Sequence, residues 1–201
     1  MPGVQIGLRD VYYAIMTYDG MEVYKEGVTP EPGKAGYETP KRIAGAISAT
    51  INPNASVETL FADDGPYETA ATIGQITLEL NVADLPLEVQ AELLGHTLTP
   101  DGILIRKATD VPPWVAIGFR SLKSNGKYRY TWLAKGKFSA PEQANETKGD
   151  SVSFQTPTIT GSFVCRDCDG EWERHIDEDS ENFNPQIAAN WFTSPVYEPT
   201  T

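Results

Sequence analysis

Ser121-Leu122-Lys123-Ser124-Asn125-Gly126-Lys127-Tyr128-Arg129-Tyr130-Thr131-Trp132 reads as a long β-hairpin closed by an Asn-Gly turn. Asn and Gly tolerate the positive φ that a type I′ turn imposes on both central residues. The flanks, Trp114 to Leu122 and Tyr128 to Ala134, are rich in aromatic and β-branched residues, which suit a pleated, half-buried surface. A two-residue loop sets Ser124 against Lys127 and, counting outward, Phe119 against Trp132. One face then carries Ile117, Phe119, Tyr128, Tyr130, Trp132 and Ala134 and reads as core. The other carries Gly118, Arg120, Leu122, Arg129, Thr131 and Leu133, a basic and apolar mixture that another element or subunit can cover.

More strands lie on either side of the hairpin. Val11 to Asp19, Ile43 to Ile51 and Val57 to Ala62 precede it; Val152 to Thr156, Thr158 to Cys165 and Trp172 to Ile176 follow it. Thr72 to Val82 alternates cleanly, with Ile73, Gln75, Thr77, Glu79 and Asn81 on one face and Gly74, Ile76, Leu78, Leu80 and Val82 on the other, as a half-buried strand does. Leu85 to Leu94 is the best helix, with Asp84 as N-cap, Pro86 in the first turn and Gly95 as the stop. Leu85, Val89, Leu93 and Leu94 form its apolar stripe. A second, short helix starts at Asn184-Pro185, and Ile187 and Trp191 stand four apart there. One main helix among about ten strands predicts a mainly β (α+β) fold, a β-sandwich or barrel with a flanking helix. Gly20 to Lys41 is a long irregular arm, expected to order on contact.

The chain has 201 residues and a mass of 22.0 kDa, the size of one domain, here taken as residues 1–201 with a long loop at about 20–42 and an acidic C-terminal segment at about 166–201. Its net charge of -12 disfavours general nucleic-acid binding. Hydrophobic residues make up 40% of the chain and mean hydropathy is -0.35; no apolar run reaches the ~18 residues of a membrane span. Met1-Pro2-Gly3-Val4-Gln5 lacks the basic-then-apolar pattern of a secretion signal, so synthesis in the cytoplasm and no membrane anchor are expected.

Sites for chemistry are few. Cys165-Arg166-Asp167-Cys168 is a CxxC, but zinc needs two more ligands, and the acids around it raise a thiol pKa. A hairpin end with two incidental cysteines is the leading reading; a cross-turn disulfide or an adventitious metal site is the alternative. Asp177 to Asn182 is an acidic run without EF-hand spacing, and Asp63-Asp64 reads as turn chemistry in an exposed contact loop. No phosphate loop, HExxH or GxSxG occurs, so the expectation is no enzyme, no catalytic residue, no cofactor and no metal. Arg120, Lys123, Lys127, Arg129, Lys135 and Lys137 interleave with Tyr128, Tyr130 and Trp132, a pattern that single-stranded nucleic-acid binders also use, so a binder built on 120–137 is the alternative function. The acidic stretch Arg166 to Glu181 complements this basic face, which favours head-to-tail contact between identical subunits through Arg120 and Arg129.

Several segments, in order, carry a family resemblance. They are Ile6-Gly7-Leu8 with Tyr12-Tyr13-Ala14; Tyr37-Glu38-Thr39-Pro40 through Ile43-Ala44-Gly45-Ala46-Ile47-Ser48; and Leu60-Phe61-Ala62-Asp63-Asp64-Gly65-Pro66-Tyr67-Glu68. Asp84-Leu85-Pro86 through Leu94-Gly95, Val115 to Phe119, the hairpin, Gly136-Lys137-Phe138 and Phe154-Gln155-Thr156-Pro157-Thr158-Ile159-Thr160-Gly161 complete the set. Together the chain resembles the major tail proteins, the tail-tube subunits, of long-tailed bacteriophages of Gram-positive hosts. That resemblance implies a tail-tube fold and a structural virion protein that self-assembles into stacked hexameric rings. It further implies DNA passing through the lumen without specific binding, and contacts with the tape-measure, tail terminator and distal tail proteins. Gln75, Thr77, Glu79 and Asn81 are then candidates to face the lumen, and Asp63, Asp64, Gly65, Pro66 and Tyr67 to make subunit or ring contacts.

Overall fold

A computed structural model describes residues 3–62, 64–141 and 155–196. In chain order the strands are β1 (Gln5–Asp19), β2 (Glu22–Val23), β3 (Ala35–Tyr37), β4 (Lys41–Ile43), β5 (Ala46–Asn52), β6 (Ala55–Ala62), β7 (Gly65–Ile73) and β8 (Ile76–Val82). Helix α1 (Leu87–Leu94) follows, then β9 (Thr97–Leu98), β10 (Leu104–Ile105), β11 (Val115–Lys123), β12 (Tyr128–Phe138), β13 (Thr158–Val164), β14 (Glu173–Asp177) and helix α2 (Pro185–Ala189). The fold is mainly β. Its main antiparallel sheet runs β2-β1-β11-β12-β13-β8-β5, with β3 and β4 added on β1 and β14 on β12. β6–β7 and β9–β10 are separate two-stranded ribbons. Asp63 and the strand expected over Val152 to Thr156 fall on or run into residues outside those described.

The central hairpin forms, one residue out of the expected register. Lys123 and Lys127 close it, the Lys127 carbonyl accepting from the Lys123 amide at 2.8 Å, so the loop is Ser124-Asn125-Gly126. Only Gly126 takes a positive φ, 79°. Asn125 Oδ1 instead accepts from the Lys127 amide at 3.1 Å. A three-residue loop with its last residue left-handed satisfies the same Asn-Gly pair as a type I′ turn does. The slip places Gly118 opposite Trp132, Arg120 opposite Tyr130 and Leu122 opposite Tyr128. A one-residue slip exchanges faces, so Ile117 and Phe119 share theirs with Leu133 and Thr131, and the three aromatics share theirs with Arg120. Gly118 is obligatory there: a Cβ would stand 2.5 Å from the Trp132 ring.

Both faces of this hairpin are covered, by different means. Ile117, Phe119 and Leu133 enter the main core with Val11 and Tyr13 of β1, Ile43 of β4, the alternating Ile76, Leu78, Leu80 and Val82 of β8, and Ile159 and Phe163 of β13. Ala46, Ala49 and Ile51 of β5 pack on the same core, so both ends of the sheet curl around one interior. Leu93 and Leu94 of α1 close it; Gly95 ends the helix at φ 71°. Pro86, not Asp84, is the N-cap residue, and no side chain caps it. Asp84 Oδ1 accepts from the Leu85 amide at 2.8 Å instead, one residue too early to cap the helix.

A second cluster covers the aromatic face. Ala116, Tyr130, Trp132 and Trp191 are buried together. Phe192 stacks on Tyr12 with ring centroids 4.6 Å apart, and the Trp132 indole N–H donates to the Trp191 carbonyl at 2.8 Å. Asn184 caps α2, its Oδ1 accepting from the Gln186 amide at 3.0 Å. Five residues cannot hold a helix alone; the aromatic floor holds this one. The arm at Gly20 to Lys41 differs from expectation as well: β2, β3 and β4 all pair with β1. Its contacts lie on its own chain.

Candidate assembly surfaces

Four candidate lumen residues belong to one polar surface, though the strand expected from Thr72 to Val82 breaks at Gly74-Gln75 into β7 and β8. Thr77, Glu79 and Asn81 lie on the outer face of β8, opposite its buried residues. Register extends that surface sideways. Glu79 stands between Thr50 of β5 and Thr160 of β13, Thr77 between Asn52 and Ser162, and Asn81 between Ser48 and Thr158. Asn81 Nδ2 donates to Thr158 Oγ1 at 2.9 Å, and Gln75 Nε2 donates to Ser162 Oγ. Glu79 is the only charge among these nine strand positions. β5 pairs with β8 on one side and, among the described residues, with no strand on the other.

Asp64, Gly65, Pro66 and Tyr67 sit at the end of the β6–β7 ribbon. Asp64 takes a left-handed φ of 61° in the turn. This ribbon has no core of its own: the side chains of 55–61 and 67–73 are exposed throughout. Val57 is 66% and Phe61 69% accessible. Cross-strand pairing sorts the faces. Ala55, Val57, Thr59 and Phe61 lie with Thr69, Ala71 and Ile73; Ser56, Glu58 and Leu60 lie with Glu68, Ala70 and Thr72. Hydroxyl pairs Ser56–Thr72 at 2.9 Å and Thr59–Thr69 at 3.3 Å fix that register.

Arg120 and Arg129 are engaged within the subunit. Asp10, in a left-handed conformation at φ 51° beside a β1 bulge, receives Arg120 Nε at 2.6 Å and Arg42 Nη2 at 2.8 Å. Bulges re-aim side chains in this way. The Arg120 guanidinium also lies 4.5 Å from the Tyr128 ring centroid. Arg129 Nη2 donates to Asp177 Oδ2 at 2.6 Å. The acidic stretch Arg166 to Glu181, expected to meet a neighbour's basic face, contains β14, which pairs with β12 of its own chain. Lys123 is fully buried, and its ammonium meets Asp177 and, at 2.7 Å, Asp179. Burial disfavours that charge, but the hydrogen bonds it donates to the two carboxylates outweigh it and raise the Lys123 pKa. The hydrogen bond from Lys123 holds Asp179 well below the usual carboxylate range. Tyr130 and Trp132 are buried, so the stacking platform that a single-strand binder needs is covered by α2 and its flank.

The CxxC lies in a tight loop whose anchor was not foreseen. Asp19, at the end of β1, is buried and accepts three bonds: from Lys135 Nζ at 2.8 Å, the Asp167 amide at 2.8 Å and the Cys168 amide at 3.0 Å. Burial pushes its carboxyl up, but Lys135 and the amides outweigh that and bring it down to about 2. Lys135 also meets Asp167 at 2.6 Å. Arg166, likewise buried, donates to Asp169 at 2.6 Å and Glu171 at 2.9 Å. Cys165 and Cys168 are free thiols. Burial, with Asp19 and Asp169 close by, pushes the Cys168 thiol up to about 12, as the acidic surroundings predicted. Nothing local in the sequence marks Asp19 or Asp10 as anchors, since Lys135 and Arg120 lie more than 100 positions away from them and Arg42 lies 32 from Asp10.

Among the described residues, no helix is long and apolar enough to cross a membrane. No protein-family model matches the chain, and no curated protein matches it. Among solved structures, similarity is found to a chain in the cryo-EM structure of the anti-feeding prophage (AFP) baseplate, 6-fold symmetrised. The two share 11% identity at a TM-score of 0.42, over 90% of this chain and 100% of the other. Likeness at that level leaves the functional argument to the residues themselves.

Proposed function

We propose that this chain is a structural virion protein, a tail-tube subunit that self-assembles into stacked hexameric rings through which phage DNA passes. The observation that carries the reading is the β6–β7 ribbon. A two-stranded ribbon is at best marginally stable in water, yet this one exposes Val57, Leu60, Phe61, Tyr67 and Ile73. Such a surface fits burial in an assembly. The open edge of β5 supports the same reading, because an unpaired edge is a template for another chain. The outer face of β5, β8 and β13 suits a bore: hydroxyls and amides around one carboxylate offer a polyanion no cationic partner. Residues 43–105 contain nine acids and no lysine or arginine. Tape-measure, terminator and distal tail proteins are the expected partners, within the virion, after synthesis in the host cytoplasm. Negative-stain microscopy of concentrated protein tests the proposal. Rings or hollow tubes are expected; a monomer at every concentration, even with tape-measure protein added, would end it.

A further inference from the structure

We infer that the cavity between α2 and β14 is a binding site for the carboxylate of a small organic acid. The cavity holds about 310 Å³, at the lower end of the range for small-molecule sites. Its wall is rich in donors: Arg174 of β14, the carboxamides of Asn184, Gln186 and Asn190, and Trp191. Among the described residues no Asp or Glu lines it, although the chain carries 28 acids against 16 lysines and arginines.

One of these donors has no use within the subunit. Trp191 is 6% exposed, and among the described residues its indole N–H meets no acceptor. The Trp132 indole, which also lines the cavity, donates to the Trp191 carbonyl at 2.8 Å. Buried polar groups are nearly always hydrogen-bonded, because an unmet donor keeps its desolvation cost. The missing partner is therefore an acceptor, and Arg174 sets its charge. A cation would find no carboxylate in the wall. A phosphate dianion would meet a single cation, already shared with Glu171. The two oxygens of a carboxylate suit one guanidinium and one indole N–H. Ile187 and Pro195 offer apolar contact to the body of the acid.

Heteronuclear NMR of the tryptophan indole N–H groups tests it. The chain has four tryptophans, and Trp191→Phe identifies the Trp191 signal while keeping an aromatic ring in place. Sodium benzoate is titrated into dilute protein, with sodium chloride at equal ionic strength as the control. The expected result is a saturable shift of the Trp191 signal with benzoate alone, larger than that of the other three. Arg174→Gln should weaken the midpoint by about tenfold, the loss of one charge-assisted contact. Gln186→Glu, a change at an exposed position, adds a carboxylate to the wall and should weaken it as well. The absence of a saturable shift would mean a cavity that holds only water and would overturn the inference. An equal response to chloride, or unchanged binding in both variants, would do the same. The titration uses unassembled subunits, so its failure leaves the tube reading standing, and a failure to form tubes leaves the cavity result standing.

Discussion

Replacing Asp19 by asparagine keeps the side chain's shape and removes its charge. The buried Lys135 ammonium then loses its 2.8 Å partner and keeps Asp167, itself largely exposed, as its remaining carboxylate. Breaking a buried pair costs about 3–5 kcal/mol. The surviving Asp167 contact, and an Asn carbonyl still able to accept the loop amides, put this case near 3 kcal/mol. For a chain of this length, that lowers Tm by roughly 6–12 °C. The pH dependence is more diagnostic. Folding depresses the Asp19 carboxyl from 3.8 to about 2. Its contribution is therefore complete above the unfolded value and disappears as pH falls through the folded one. At 1.36 kcal/mol per pKa unit the drop corresponds to about 2 kcal/mol. Urea melts of dilute wild-type and Asp19→Asn protein at several pH values read the stability gap directly. That gap should narrow by about 2 kcal/mol between pH ~4 and ~2. A gap that stays constant across the window would refute the ion-pair account.

Other expectations are as direct. Gly118→Ala places a methyl against the Trp132 ring and should cost about 1–3 kcal/mol in a denaturant melt. Leu93→Ala, at a fully buried site, should cost about 2–5 kcal/mol. Asp84→Ala should fall well short of that, because Pro86 and not Asp84 caps α1; a loss as large as Leu93→Ala would show that Asp84 does more than bond the Leu85 amide. With iodoacetamide near pH 8, peptide mapping should find Cys165 alkylated well before Cys168, whose thiol is pushed up to about 12.

Strand content and the β8 alternation were legible because a half-buried strand writes its period of two directly into the sequence. Gly95 and Asn184-Pro185 also marked helix ends by local chemistry alone. The hairpin register was not legible: Asn-Gly serves a two-residue and a three-residue loop equally well, and the choice depends on packing around Gly118 and Trp132. Helix α1 starts late because a Pro sits where the chain turns, which a preference for Asp at N-caps does not capture. The arm over Gly20 to Lys41 showed its irregular composition but not its partner, since β1 is itself a long, mixed strand. Charge complementarity between 120–137 and 166–181 was legible too, yet a sequence does not distinguish pairing within a chain from pairing across two. The folded chain closes those pairs internally through β14.

Folding β14 onto β12 also fixes where the molecule's unbalanced charge resides. Most lysines and arginines pair with acids of the same chain, while the stretch 43–105 holds nine acids and no lysine or arginine. Ribbons projecting from free subunits therefore repel one another over about a Debye length, ~10 Å at 0.1 M salt. Freshly made copies should linger apart in dilute buffer and polymerise readily once salt rises or an ordered first ring holds the ribbons at fixed spacing. If the chain builds the tube proposed above, its growth is then limited by initiation, which restrains how many tubes start.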